Sequence, residues 1–251
     1  GRFSLGISII MTEIWEEIHM RLIGIIGAMN DEVAQLKAQM KSVTVKEKAS
    51  MVFVQGTLNG KPAVVVQSGI GKVNAGICTQ ILADDYHVDC VINTGIAGSL
   101  KNEINIGDIV ISTDTVQHDV DATNFGYRPG QIPSMDTFSF PADERLIEAA
   151  EKACREANPE LGVYRGRVVS GDQFIADADR KKVLTEEFGG YCTEMEGAAI
   201  AQAAYLNKIP CVVIRAISDK ADNSASMDYP TFEQQAISHS VRLVSKMMEL
   251  L

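Results

Sequence analysis

What is scarce in this chain narrows what it can do. Positive charge is scarce: 23 Lys and Arg stand against 33 Asp and Glu, a formal charge of −10. That balance argues against a nucleic-acid or anionic-membrane surface, either of which would show a clustered basic face. A small ligand with little net negative charge fits better. Paired cysteines are also missing. Cys78, Cys90, Cys154, Cys192 and Cys211 are odd in number, widely spread and free of any CxxC pair, which predicts reduced, mostly buried thiols of a cytosolic protein and neither a disulfide framework nor a zinc site. No apolar run is long enough to span a membrane. Aromatics are few, at 6%, while apolar residues make up 46% of the 251 positions, an ordinary composition able to bury a sizeable core.

The first residues stand apart. A short apolar run, Gly1 to Ile10, is followed by Glu13, Glu16 and Glu17 without a small-residue cleavage site, which speaks against a signal peptide. The periodic pattern begins at Met20-Arg21-Leu22, so residues 1–19 are read as an extension and 20–251 as the folded unit.

From there strands and helices alternate. Leu22 to Gly27 is a continuous apolar run ending in glycine, a buried strand, followed by a helix with Val33, Leu36 and Met40 on one face and Asp31 and Glu32 in its first turn. The residues alone do not choose between those two acids. Met51–Leu58 and Ala63–Gln67 flank Asn59-Gly60, a strong hairpin signal. Ser68-Gly69-Ile70-Gly71-Lys72 then opens a helix; it lacks the spacing of a phosphate loop, and its glycines predict a close approach of backbone to something. A third buried strand, Asp89–Asn93, is closed by Thr94-Gly95-Ile96-Ala97-Gly98. His118-Asp119-Val120-Asp121 follows the strand that begins at Ile106. Nothing completes a metal ligand set there, so a hydrogen-bonded or solvated cluster is expected. Residues 124–133 form an aromatic loop, Pro141-Ala142-Asp143-Glu144 starts a helix, and the strand 163–169 runs into Ser170-Gly171-Asp172-Gln173-Phe174-Ile175. A helix over 179–188 precedes the most acid-loaded stretch. There Glu194 and Glu196 open an Ala-rich helix, and a buried strand then runs into Arg215 and Ser218-Asp219. Phe232 to Leu251 is a last amphipathic helix.

With no linker and no internal repeat, this alternation predicts one α/β domain with a mixed central β-sheet flanked by helices. Turns 27–32, 94–98, 170–175 and 215–219 each follow a buried strand, and in such a sheet they gather at one edge and form a pocket.

Gly24-Ile25-Ile26-Gly27-Ala28-Met29, Ser68-Gly69-Ile70-Gly71-Lys72-Val73, Asn93-Thr94-Gly95-Ile96-Ala97-Gly98, Ser170 to Ile175, Glu194-Met195-Glu196 and Arg215 to Asp219, in that order, resemble the motifs of bacterial 5′-methylthioadenosine/S-adenosylhomocysteine nucleosidases. The resemblance runs from about residue 20 to the C-terminus. It implies a nucleoside-phosphorylase-like fold over 20–251, a homodimer with a shared active site and no cofactor. It also implies hydrolysis of the bond joining adenine to a 5′-thioribose in methylthioadenosine, S-adenosylhomocysteine and 5′-deoxyadenosine, in methionine salvage and the activated methyl cycle.

The roles carried over are these. Glu32, oriented through Arg215, takes the proton of the attacking water, while Asp219, positioned by Ser218, protonates the leaving adenine at N7. Glu196 grips the ribose hydroxyls, Met195 packs beneath the ribose, Phe174 stacks on adenine and the backbone of Ile175 reads the purine edge. Gly98 and Ile96 border the sugar; Ile96 and Tyr229 stand where many relatives carry Ser and Phe. Met29, Ile70 and Tyr229 enclose the alkylthio group, with Phe125 and Pro133 reaching in from the second subunit. A base must be ionised and an acid protonated, so the carboxylates need environments that push their pKa values apart. Glu196, at a helix start, is expected to favour ionisation.

The rival of the same fold is a nucleoside phosphorylase, or a futalosine-type nucleosidase. A phosphorylase needs a basic phosphate site near 27–32 and 94–98, and both segments lack arginine. A nucleoside-binding protein without catalysis is disfavoured by the presence of Glu32, Glu196 and Asp219 together.

Overall fold

The computed structural model describes residues 22–251; the extension 1–19 lies outside the described residues. Ten strands and six helices are seen. The strands are β1 (Ile23–Gly27), β2 (Lys41–Lys48), β3 (Met51–Leu58), β4 (Lys61–Gln67), β5 (Cys90–Ser99), β6 (Ile109–Gln117), β7 (Phe140–Pro141), β8 (Val163–Ser170), β9 (Cys192–Glu194) and β10 (Cys211–Asp219). The helices are α1 (Asn30–Gln39), α2 (Lys72–Tyr86), α3 (Glu144–Ala157), α4 (Ala178–Phe188), α5 (Gly197–Leu206) and α6 (Ala225–Leu250).

All strands join one mixed sheet. Neighbours run β10-β6-β8-β9-β5-β1-β4-β3-β2, and β10 also pairs with β5, so β5, β9, β8, β6 and β10 close into a ring. Ala97, Val110, Val168, Cys192, Val213 and Ile217, together with Ile104, fill the inside of that ring. Beyond it, β1 lies parallel to both β5 and β4, and β4, β3 and β2 continue antiparallel.

The apolar run of β1 is explained by cover on both faces. Ile23 and Ile25 pack with Val33 and Leu36 of α1 and with apolar residues of α3 and α6. Ile26, pointing the other way, joins Ala75, Cys78 and Leu82 of α2 and Ile200 of α5. All five cysteines are buried, with no disulfide among them.

Several elements differ from the sequence expectation. β5 does not end at Asn93 but continues through Gly98, paired in parallel to β10, so the presumed turn is strand. Pro141 precedes α3, whose N-cap is Asp143. The last helix starts at Ala225, with Pro230 inside it. The strand β2 was not foreseen: it lies along the rim with every residue exposed, so it has no buried alternation to reveal it.

The Asn59-Gly60 hairpin is present, with φ of 48° and 79°, the left-handed pair that a tight two-residue hairpin turn demands. A methyl at Gly60 would touch nothing within 4 Å. Gly60→Ala therefore isolates the backbone penalty, and a loss of about 1 kcal/mol is expected in urea unfolding; an unchanged midpoint would show that the turn relaxes freely.

Candidate active site

At the carboxyl ends of β1, β5 and β10 a cavity of about 380 Å³ opens, lined by Ala28, Met29, Glu32, Ile70, Ile96, Ala97, Gly98, Phe174, Thr193, Glu194, Met195, Glu196, Ser218, Asp219 and Tyr229. Four carboxylates and no cationic side chain are in that lining. The position, beyond strand ends in an open α/β sheet, is where such folds hold ligands.

Arg215 supplies the nearby positive charge from behind the lining. It is 1% exposed and sits on β10 opposite Gly95 of β5. Its guanidinium donates to Glu194 through Nε at 3.0 Å and again through Nη2, which also donates to Asn93 Oδ1 at 2.6 Å. Asn93 in turn donates to the Ile26 carbonyl, tying the arginine to β1. Glu194 also accepts from Ser170 Oγ and from the Gly197 N–H at 2.8 Å, so this buried carboxylate both faces the arginine and closes the start of α5. Glu196 Oε1 lies 3.9 Å from Arg215, and its Oε2 accepts from the Gly71 N–H at 2.9 Å. Gly71 has φ of 97°, a conformation that favours glycine.

Glu32 is the third carboxylate of this group. It accepts from the Met29 N–H at 2.9 Å and is buried, whereas Asp31 is exposed; the choice left open by the residues alone falls on Glu32. A methyl at Gly95 would overlap the Glu32 carboxylate and press against Arg215 at 2.7 Å. Burial pushes the Glu32 carboxyl up to about 7, against the opposing pull of Arg215 and of the Met29 and Ile96 amides. Burial, and then the charge of Glu194, likewise hold Glu196 above the usual carboxylate range. One guanidinium cannot balance three buried carboxylates, so protons are retained.

Asp219 stands apart from this cluster. It accepts from Ser218 Oγ at 2.9 Å and from the Ala221 N–H at 2.8 Å. Burial raises its pKa over those two hydrogen bonds, and Asp228 and Asp222 add to the rise. The pairing of β10 with β5 shifts between Ile217 and Asp219. Through this bulge Ile217 enters the ring interior while Ser218 and Asp219 both line the cavity. A methyl at Gly98 would stand 2.8 Å from Asp219 Oδ1, so only glycine lets the acid lie so close to β5. At the apolar end Phe174 is half exposed and meets Tyr229 edge-on, ring centroids 5.5 Å apart.

A family model described as the Phosphorylase superfamily matches residues 22–249. A 5′-methylthioadenosine/S-adenosylhomocysteine nucleosidase of Anoxybacillus flavithermus is 44% identical over 227 residues, 90% of this chain and 97% of the relative. The crystal structure of the corresponding nucleosidase from Neisseria meningitidis, in complex with methylthio-immucillin-A, superposes with a TM-score of 0.88 at 38% identity, covering 92% of this chain and 100% of that one. A futalosine hydrolase of Helicobacter pylori superposes at 0.87 with 31% identity, covering 92% and 99%. The chain belongs to the phosphorylase superfamily, in its methylthioadenosine/S-adenosylhomocysteine nucleosidase family.

In this nucleosidase-family chain the structure gathers Glu32, Glu196, Met195, Ser218, Asp219, Gly98, Ile96, Met29, Ile70, Phe174 and Tyr229 around one cavity. Others fall outside its lining. Arg215 bonds Glu194 and Asn93, and Glu32 is held by backbone amides, so the expected direct orientation of Glu32 by Arg215 becomes an electrostatic one. The Ile175 side chain is buried in a separate cluster with Leu100, Val116, Val169 and Leu184. Phe125, 83% exposed, and Pro133 stand away from their own chain's cavity. The expected ionisation bias of Glu196 is reversed by burial beside Glu194. Thr193 and Asn93 were given no role from the sequence, and Glu194 was singled out beside Glu196 but left without one. Only Glu194 had a signal, its acid at a helix start, and that signal does not distinguish a scaffold carboxylate from a ligand-facing one.

The Gly71-Lys72 segment holds no free cation: Lys72 Nζ pairs with Asp119 at 2.7 Å. His118 is buried, its pKa lowered to about 4 by burial, and no cluster able to hold a metal occurs among the described residues.

Glu32 titrates near its ordinary 4.5 when unfolded and near 7 when folded. Between those values the folded state binds more protons, so its contribution to stability falls as pH rises, by up to about 1.4 kcal/mol per pH unit, and levels off above 7. Urea unfolding between pH 5 and 7 should show a shallower decline for Glu32→Gln than for the native protein. Equal slopes would mean that Glu32 is ionised throughout that range.

Proposed function

We propose that this chain hydrolyses the N-glycosidic bond of 5′-methylthioadenosine and S-adenosylhomocysteine, and of 5′-deoxyadenosine, releasing adenine and the ribose fragment. The observation that carries the reading is a cavity lined by four carboxylates and no cation. Water enters such a site readily, whereas phosphate would meet repulsion at Glu32 and find no arginine in the lining. This separates the hydrolase from a phosphorylase of the same superfamily.

The chemistry follows from the geometry. Glu32, with its pKa near 7, is poised to take a proton from water near neutral pH. The water oxygen bonds to C1′ as the C1′–N9 bond breaks and its electron pair passes to the purine. Asp219, raised by burial and steadied by Ser218, delivers a proton to N7. Glu196 faces the ribose hydroxyls, one oxygen anchored by Gly71. As positive charge grows on the sugar it favours the ionised form of Glu196, so the carboxylate binds the transition state better than the substrate. Phe174 covers one face of adenine, and the backbone beside Ile175 reads its edge. Met29, Ile70 and Tyr229 receive the 5′-thioether, their apolar surfaces packing on the sulfur and its adjoining methylene or methyl. The futalosine hydrolase likeness keeps a second nucleoside class in the substrate panel.

In phosphate-free buffer, methylthioadenosine should yield adenine and free methylthioribose. Asp219→Asn should lower turnover by about 100-fold or more with ligand affinity changed only a few-fold. Near-normal turnover in that variant would remove Asp219 as the acid, and a ribose 1-phosphate formed only with phosphate present would sink the hydrolase.

The folded unit is read as one nucleosidase domain over residues 20–251, supported by the family match and the continuous sheet. Buried cysteines with no disulfide among them support a reducing, cytoplasmic setting, and no described helix is long and apolar enough to cross a membrane. A homodimer is supported by exposed apolar residues at the cavity mouth. Ile70 lines the cavity and is exposed, and Val73 and Ile77, four residues apart on one face of the following helix α2, are exposed as well. Phe125 and Pro133 of one copy then complete the apolar end of the other's cavity. Sedimentation should find a dimer, and Val73→Asp should yield monomers with weakened methylthioadenosine binding; a fully active monomer would reject the shared site.

A further inference from the structure

A second cavity of about 500 Å³ lies between α1, the start of β3, the end of β4 and the start of α2, lined by Asn30, Lys37, Ala49, Ser50, Met51, Val52, Gln67, Ser68, Gly69 and Asn74. Its chemistry is the opposite of the first. The lining has no carboxylate and one cation, Lys37, surrounded by amides and hydroxyls. Lys37 is half-buried, and its ammonium donates to the Val52 carbonyl at 3.3 Å. No ion pair with a carboxylate is seen for it among the described residues, although the chain as a whole carries ten surplus negative charges. Of its three donors two are left over. Burial pushes the ammonium below the usual lysine range, with no carboxylate among the groups that offset it. The side chains of Asn30, Ser50 and Gln67 make no hydrogen bond among the described residues, while Asn74 donates to the Ile70 carbonyl at 2.8 Å.

We propose that this cavity is a binding site for a small organic anion bearing a phosphate or carboxylate group, its charge met by Lys37 and its remaining oxygens by the amides of Asn30 and Gln67 and the hydroxyl of Ser50. The volume suits a metabolite-sized ligand, and an anion would supply the counter-charge that Lys37 lacks. No residue lines both cavities, but two segments contribute to each. Asn30 belongs to the same turn as Met29 and Glu32, and Ser68-Gly69 to the same loop as Ile70 and Gly71, whose N–H holds Glu196. The proposal does not rest on the nucleosidase reading, since its test reads binding alone.

The test is calorimetric titration of the full chain with inorganic phosphate and, separately, with citrate, at constant ionic strength. Saturable binding to the native protein is expected, retained in Lys37→Arg and at least about tenfold weaker in Lys37→Gln. Phosphate alone binding would assign a phosphate-bearing ligand, citrate alone a carboxylate-bearing one. Asp219→Asn should bind the probe like the native protein, which separates the site from the substrate cavity. Unchanged affinity in Lys37→Gln, or no saturable binding of either probe, overturns the proposal. Amide shifts at Gly69 and Asn74 on titration give a second readout, expected in the native chain and absent from Lys37→Gln.

Discussion

A single buried guanidinium holds this site together. Arg215 is almost fully withdrawn from water and donates to Glu194 and Asn93, with Glu32 and Glu196 close enough to feel its charge. Removing one member of a buried ion pair costs about 3–5 kcal/mol because the other is left uncompensated. Here the arrangement is more demanding, since three carboxylates share one positive charge. The partner that satisfies the guanidinium geometrically is Glu194, which lines the cavity and also accepts from Ser170 and from the first N–H of α5. Glu32 and Glu196 are left only partly compensated, and that shortage raises their pKa values into the range where proton transfer near neutral pH is possible.

The ring of β5, β9, β8, β6 and β10 makes such a cluster possible. Arg215, Asn93 and Gly95 lie on adjacent central strands, where side-chain direction is dictated by pairing with both neighbours, and Glu194 comes from a third strand of the same ring. Groups held by a closed sheet have little freedom to separate, so the charges cannot relax apart. The more adaptable groups, Ile70, Phe174 and Tyr229, come from loops and from the start of α6, and they border the apolar end.

Much of this was legible in the residues. The apolar run of β1, the Asn59-Gly60 turn and the helix beginning after Met29 each announce themselves through local rules, and the acids and glycines after buried strands pointed to a shared pocket. What escaped had no local signal. The pattern Thr94-Gly95-Ile96-Ala97-Gly98 reads as a turn because small residues resemble one, yet those glycines serve strand pairing beneath Glu32 and Asp219. β2 shows no buried alternation because none of it is buried. The residues alone do not tell Glu194 from Glu196, since a two-residue spacing does not reveal which carboxylate meets an arginine 21 positions beyond Glu194. Burial likewise reversed the expectation for Glu196, because a helix start favours an anion only weakly compared with the cost of removing it from water.

A bulge near the end of β10 sets where its last side chains point. In regular strand alternation, Ser218 and Asp219 would point to opposite sides, one of them into the apolar interior of the ring. An extra unpaired backbone position between Ile217 and Asp219 places both on the cavity side. The position of Asp219 is thus written in the count of residues along a strand as much as in their identity. A one-residue deletion in β10 would leave the serine and the acid in the sequence and still displace the acid from the pocket, whereas many exchanges of neighbouring apolar residues would leave it in place.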